Sequence, residues 1–272
     1  VVPSASIGYK LTDMSNLRLG YNMRIYRPGI WALNPYLNDA DPSYISRGNP
    51  ELDSEKSHAF NLSYSNFIQK FNVNISARYS FTNNSIENVT RLMPDTEIEG
   101  LKNPTGKDVL YSTYANIGKT RYASVNGYVN WNATSRTRIY MNMSGNYSYL
   151  EGGEGMRNDG WSLFAYGGAQ HTLPHDWRIS MNVFGQTPWI MLQGKGSSFF
   201  DYGVSVNKSF LNKRLTLSAF ASNFFKKYMN QSSTTEGSGF VRESNYKYSR
   251  QRFGVSVSYR IGELKASVKK AA

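Results

Sequence analysis

From Phe71 to Phe81 the chain alternates without an error: Phe71, Val73, Ile75, Ala77, Tyr79 and Phe81 are apolar or aromatic, and every residue between them is polar or charged. Period two is the signature of a strand, whose successive side chains point to opposite faces. A helix would scatter the same residues round its axis. Soluble strands commonly stop after about five or six residues, whereas a strand tilted across a bilayer needs roughly 9 to 11. The run therefore predicts a membrane-crossing strand, with a lipid face of odd-numbered residues and a wet face that carries Asn72, Asn74 and Arg78.

The pattern repeats along the chain. Residues 3–11 place Ala5, Ile7, Tyr9 and Leu11 on one face, residues 17–25 do the same with Leu17, Leu19, Tyr21, Met23 and Ile25, and His58, Phe60, Leu62 and Tyr64 mark the next strand. Further strands are predicted around Val125 to Trp131, Ile139 to Tyr149, Trp161 to Thr172, Trp177 to Gln186, Phe200 to Val206, Leu215 to Ala221 and Phe253 to Ile261. With the run from Phe71 that makes about eleven. Short turns at 12–16, 66–70, 132–135, 174–176 and near Asn212 alternate with long connections at 27–55, 83–120, 151–160, 187–198 and 230–246. Outer-membrane barrels keep that parity, with short turns toward the periplasm and long loops outside. The expected fold class is all-β, an antiparallel transmembrane β-barrel, with residues 1–272 forming one barrel segment. On this assignment the first and last strands both descend toward the periplasm, and a closed barrel with both ends there needs an even count. Together with a start at Val1 that carries no signal peptide, this predicts a segment of a larger barrel.

Composition narrows the chemistry. There is no Cys and the three His are dispersed, so disulfides and Cys/His metal sites are not expected. No apolar run approaches the roughly 18 residues of a transmembrane helix. The mean hydropathy of −0.51 averages two opposite faces and does not argue for solubility. A net charge of +12 raises nucleic acid as a partner, but the bases are spread through strands and loops instead of one tract, and no nucleic-acid binding is expected. Seven bases fall on the inward face: Lys10, Arg18, Arg24, Arg78, Arg138, Arg178 and Arg260. A ring of like charge inside a low-dielectric wall would focus anions, or else pair with acidic groups of whatever fills the lumen. Trp131, Trp177 and Tyr259 near turns, and Tyr79, Phe81, Tyr147, Tyr149 and Trp161 near loops, suit the two interfacial girdles. Asp39, Asp41 and Asp53 lack the spacing of a calcium loop and read as turn residues. His171 and His175 flank a turn, and His58 has no local acidic partner. No catalytic group, metal ligand or cofactor site is expected, so the protein is not read as an enzyme.

The connection at 27–55 is more specific. It carries Arg27-Pro28, then Leu33-Asn34-Pro35-Tyr36, then Gly48-Asn49-Pro50-Glu51-Leu52, and its prolines should make it stiff. Gly48 is expected to supply a positive φ beside the Asn49-Pro50 turn. With these motifs and the closing run from Arg252 to Gly262, the chain resembles, over essentially its whole length, the C-terminal barrel region of TonB-dependent outer-membrane receptors of the Bacteroidota type. The resemblance implies a parent protein of the Gram-negative outer membrane, with a plug domain absent here inside a barrel of about 22 strands. It implies partners in outer-membrane lipid, that plug, TonB through the missing N-terminal part, and a surface lipoprotein. It also implies energised uptake of a scarce solute such as a siderophore, oligosaccharide or peptide. The tail from Glu263 to Ala272 departs from the family pattern, which ends on the aromatic strand. A passive porin-like channel and a soluble β-sandwich binding module are the alternatives.

Overall fold

The computed structural model describes residues 2–262, so the tail after Gly262 lies outside the described residues. Seventeen strands form among them. The first nine are β1 (Ser4–Thr12), β2 (Ser15–Tyr26), β3 (Asn38–Asp41), β4 (Tyr44–Ser46), β5 (Glu55–Ile68), β6 (Phe71–Pro94), β7 (Asp108–Trp131), β8 (Thr137–Glu151) and β9 (Arg157–Leu173). The others are β10 (Trp177–Gln186), β11 (Ile190–Met191), β12 (Gly194–Lys195), β13 (Phe199–Phe210), β14 (Leu215–Ser222), β15 (Tyr228–Gly237), β16 (Phe240–Ser249) and β17 (Arg252–Tyr259). The wall is an antiparallel sheet in the order β1-β2-β5-β6-β7-β8-β9-β10-β13-β14-β17, which is the predicted set of eleven; β1 and β17 are its edges.

Register explains why the alternation was so regular. Leu19, Leu62, Ala77, Val125, Gly145 and Leu163 pair across the wall at one level, and Tyr21, Phe60, Tyr79, Ala123, Tyr147 and Trp161 pair one level higher. These side chains are not a core: Ile75 is 48% exposed, Val125 56%, Met143 51% and Leu163 55%. An apolar band of that extent requires lipid as its solvent. Its upper limit is the row Met23, His58, Phe81, Arg121, Tyr149 and Asp159, where polar groups enter the outward face. There Tyr21 shares a hydrogen bond with His58, and Arg157 lies 4.8 Å from the centre of the Tyr149 ring. Tyr149 therefore belongs to this polar rim, one level above the girdle. The lower limit is marked by Phe71 stacked on Trp131 at 5.4 Å and by Trp177, over which the Lys208 ammonium sits at 5.4 Å. Lys208 occupies an outward position, but its long stem carries the charge to the His175 carbonyl at the turn.

The long connections are more ordered than the pattern suggested. Residues 83–120, predicted as a connection, are largely strand: β6 and β7 pair as a ribbon out to Pro94 opposite Asp108, with bulges between Thr82 and Ile86. Likewise 230–246 belongs to the hairpin β15–β16, and 187–198 contains the hairpin β11–β12. In 27–55, a single helical turn α1 (Ile30–Leu33) precedes β3 and β4. The buried apolar cluster, Ile45, Ile98 and Val109 with Leu37, Met93, Leu101 and Tyr111 around it, lies here in the loop layer and not in the wall.

At the ribbon tip, Asp95 is buried and accepts hydrogen bonds from the Thr105 backbone N–H at 2.6 Å, the Thr105 hydroxyl at 2.8 Å and the Gly106 N–H at 2.8 Å. These donors, the Thr105 N–H first, hold its carboxyl below the usual carboxylate range. A depressed folded value stabilises above the unfolded value, near 3.9, and that contribution is lost as pH falls through the folded value. Asp95→Asn should therefore speed proteolysis of the tip at neutral pH, and the difference from wild type should vanish in strong acid; equal cleavage at neutral pH would remove the role.

Candidate functional site at the barrel mouth

The inner face is built from the polar half of the alternation. Six of the seven predicted bases have inward register and Arg260 lies just past the last strand, but the seven do not form a ring. Arg24 pairs with Ser57 near the loops, Arg78 with Asn61 and Arg18 with Ser63 lie lower, and Lys10 sits opposite Asn16 toward the turn end. Arg138 opposite Gln170, Arg178 opposite Thr172, and Arg260 just beyond β17 complete the turn end. They are distributed along the axis of the wall, so the expected single ring is replaced by a ladder. Lys10 pairs with Asp13 at 2.9 Å and Arg138 donates to Asn130; Arg18, Arg24, Arg78 and Arg178 meet no carboxylate among the described residues.

At the upper end, inner-face residues are small and buried: Ser80, Thr82, Thr120 and Ser148 are each less than a tenth exposed. What covers part of this face is the β11–β12 hairpin. Asn158, an inward residue of β9, donates from Nδ2 to the Met191 carbonyl at 2.7 Å and the Gly194 carbonyl at 2.8 Å. A Cβ on Gly160, also inward, would lie 3.0 Å from Ile190 Cδ1. The connection between β10 and β13 is thus folded onto the lumen side of the wall. It continues to the ribbon, where Gln193 accepts from the Thr90 N–H and donates to the Thr90 carbonyl, both at 2.8 Å. The sequence held no signal for this, because a hairpin of such short strands has no measurable period.

The motif residues of the 27–55 connection come together as a clasp. Asn34 Oδ1 accepts the Tyr36 N–H at 3.1 Å and Asn49 Oδ1 accepts the Glu51 N–H at 2.9 Å. Pro35 and Pro50, which have no N–H and a fixed φ, hold the intervening residue of each turn. The two turns are joined: the Gly48 and Asn49 N–H groups donate to the Asn34 and Ala32 carbonyls at 2.9 and 2.6 Å. Gly48 does not adopt the positive φ expected of it; a side chain is excluded because its Cβ would sit 2.5 Å from the Asn34 carbonyl oxygen and 2.7 Å from that of Ala32. The clasp is then tied to the ribbon by the parallel pairing of β4 with β7, Tyr44 opposite Leu110 and Ser46 opposite Ser112, and by Asn49 Nδ2 donating to the Tyr114 carbonyl at 3.0 Å. Between clasp and ribbon lies a cleft of about 440 Å³ lined by residues that include Trp31, Tyr36, Tyr44, Arg47, Asn88 and Tyr114. On its far side Arg242 of β16 lies 3.8 Å from the centre of the Tyr44 ring. Of the aspartates read as turn residues, Asp41 accepts both the N–H and the hydroxyl of Ser43. The histidines are not brought together: His58 bonds Tyr21 at the loop end, and His171 bonds Thr137 at the turn end.

Comparison with curated proteins finds none that matches. Among solved structures, the copper transporter OprC is similar at 13% identity and a TM-score of 0.62, over 94% of this chain and 39% of that one. The ferric enterobactin receptor PfeA of Pseudomonas aeruginosa aligns at 16% identity and a TM-score of 0.62, over 95% of this chain and 40% of that one. The siderophore receptor PirA of Pseudomonas aeruginosa gives 17% identity and a TM-score of 0.57, over 83% and 39%. The chain spans about two-fifths of the length of these solved chains. At such identities the likeness concerns the fold. The family described as outer membrane protein beta-barrel matches residues 1–259, which removes the soluble sandwich. The chain belongs to the outer membrane protein beta-barrel family, and its place is the outer membrane.

Proposed function

We propose that this chain is the C-terminal barrel portion of a TonB-dependent receptor of the Bacteroidota type, which takes up a scarce solute through the outer membrane by energised transport. The observation that carries this reading is a wall whose inner face is polar and cationic while its mouth is covered by connections folded inward and tied to one another. A covered mouth suits a receptor that holds its ligand before admitting it. The edges β1 and β17 leave ladder groups that a bilayer cannot satisfy, which supports reading the wall as part of a larger barrel of about 22 strands round a plug. TonB would act on that plug, and a surface lipoprotein would meet the loop layer. The protein performs no catalysis in this reading; its work is binding, gating and release.

The free arginines of the ladder give the test. Replacing Arg18, Arg24 and Arg78 together with Gln in the full-length protein should reduce uptake of an anionic ligand most at low ionic strength, because screening by salt already removes charge focusing. If instead the three hold the plug, the variant becomes leaky to small ions in single-channel conductance. Unchanged uptake with unchanged conductance would remove both roles from the ladder.

A further inference from the structure

The lipid face of the wall is not evenly filled. Between β5 and β9 it holds a groove of about 390 Å³, floored by Ala77 and Ala123 and walled by Phe60 and Leu62 on one side and Trp161 on the other. Side-chain size alone makes it. Ala77 pairs with Val125 and Ala123 with Tyr79, so two small residues stand diagonally on adjacent strands in rows otherwise rich in leucine and aromatics. Gly145, outward on β8, opens the same face further: a Cβ there would lie 3.8 Å from Trp161 Cζ3, so the indole reaches over β8. A depression in a surface that lipid must wet is filled by an acyl chain, because an empty one forfeits its dispersion contacts. What stands above the groove selects the lipid.

Two residues above Ala123, about 7 Å along β7, the same face presents Arg121. Its Nη1 donates to the Thr82 and Thr120 carbonyls at 3.2 and 2.9 Å, its Nη2 donates to Asn83 Oδ1 at 2.7 Å, and the guanidinium lies 5.4 Å from the centre of the Phe81 ring. Three of its five N–H groups hold it in place, and Nε and the second Nη2 proton meet no acceptor among the described residues. On β5, four residues above Phe60, Lys56 is exposed and makes no ion pair among the described residues. The other rim cations are compensated: Lys119 pairs with Glu151 at 3.1 Å and Arg157 with Asp159 at 3.7 Å. We propose that groove and cations together bind a phosphorylated lipid of the outer leaflet, its chain on Ala77 and Ala123 and its phosphate oxygens on Arg121 and Lys56. The height fits, since this rim is where the apolar band ends on the side of the long connections, which face outside in such barrels. A fixed guanidinium fork matches phosphate geometry. A zwitterionic lipid brings its own cation to the same level and gains less. A second copy related by a twofold axis along the membrane normal would set Arg121 and Lys56 against their own copies, which like charge disfavours.

The proposal needs only a wall in the outer membrane and is independent of what the protein transports. Native mass spectrometry of the full-length protein in neutral detergent, with diphosphorylated lipid A and its dephosphorylated form added at equal concentration, reads it directly. The phosphorylated probe should be retained at least tenfold better, one molecule per chain. Lys56→Gln together with Arg121→Gln should bring its retention down to that of the dephosphorylated form. Lys56→Gln alone breaks no contact among the described residues, so its loss of at least threefold reads the charge without touching the fold. Ala123→Phe fills the groove with an apolar ring that lipid tolerates, and should lower retention of both forms without lowering thermal stability. Equal retention of the two forms by the unaltered protein, or undiminished retention by the double variant or by Ala123→Phe, overturns the proposal. So does a dimer that excludes the probe, which would assign the groove to a second copy.

Discussion

Ile75→Arg should destabilise the membrane-inserted protein by about 2 to 4 kcal/mol, while its neighbour Asn74→Arg should change stability little. Ile75 is half exposed on the outward face and pairs with Gly127 across β6 and β7, in the middle of the apolar band. A guanidinium there has no water to meet, and the small residue opposite gives it no screen. Asn74 points the other way and pairs with Tyr128 on a face already supplied with arginines. Reversible folding of the full-length protein into lipid vesicles measures both. Similar losses for the two substitutions would mean that the faces are misassigned.

Gly48→Ala should release the 27–55 connection while leaving the wall intact. The added methyl would overlap the carbonyl oxygens of Asn34 and Ala32 and the Asn34 nitrogen, all backbone atoms that cannot rotate away. Overpacking of this kind costs roughly 1 to 3 kcal/mol, enough to undo a clasp that rests on a few hydrogen bonds. Limited proteolysis should cut within residues 27–55 in the variant, and heat-induced unfolding of the barrel should be unchanged. Gly29→Ala is the control, because nothing lies within 4 Å of its Cβ. Equal protease resistance in both variants would show that Gly48 does not set the clasp.

The wall was legible because lipid on one side and water on the other impose opposite chemistry on alternate residues; the run at Phe71 to Phe81 is an unbroken copy of that environment. Beyond Phe81 the same strand leaves lipid, and Thr82, Asn83, Asn84 and Ser85, all polar, carry no period. The ribbon was therefore missed although its backbone pairing continues. The clasp was half legible: repeated Asn-Pro steps announced turns, but the joining of the two turns depends on Gly48 passing close to α1, a contact between segments distant in the chain. The cleft was not legible at all, since its lining joins residues of the clasp to Asn88, Ser112 and Tyr114 of the ribbon, which lie far apart in the chain.

The continuous β6–β7 ladder also has a mechanical meaning. It rises from the membrane as a single beam, and the other connections are moored to it: β4 by its pairing to Leu110, Tyr111 and Ser112, and the β11–β12 and β15–β16 hairpins, joined to each other through β12 and β15, by Gln193 on Thr90 and by the turn at Gly239 beside Leu92. A pull on any mooring loads the beam, and the bulges between Thr82 and Ile86 are where its ladder is weakest in bending. The connections of the mouth accordingly share one anchorage, and the bulges lie between that anchorage and the membrane-spanning wall.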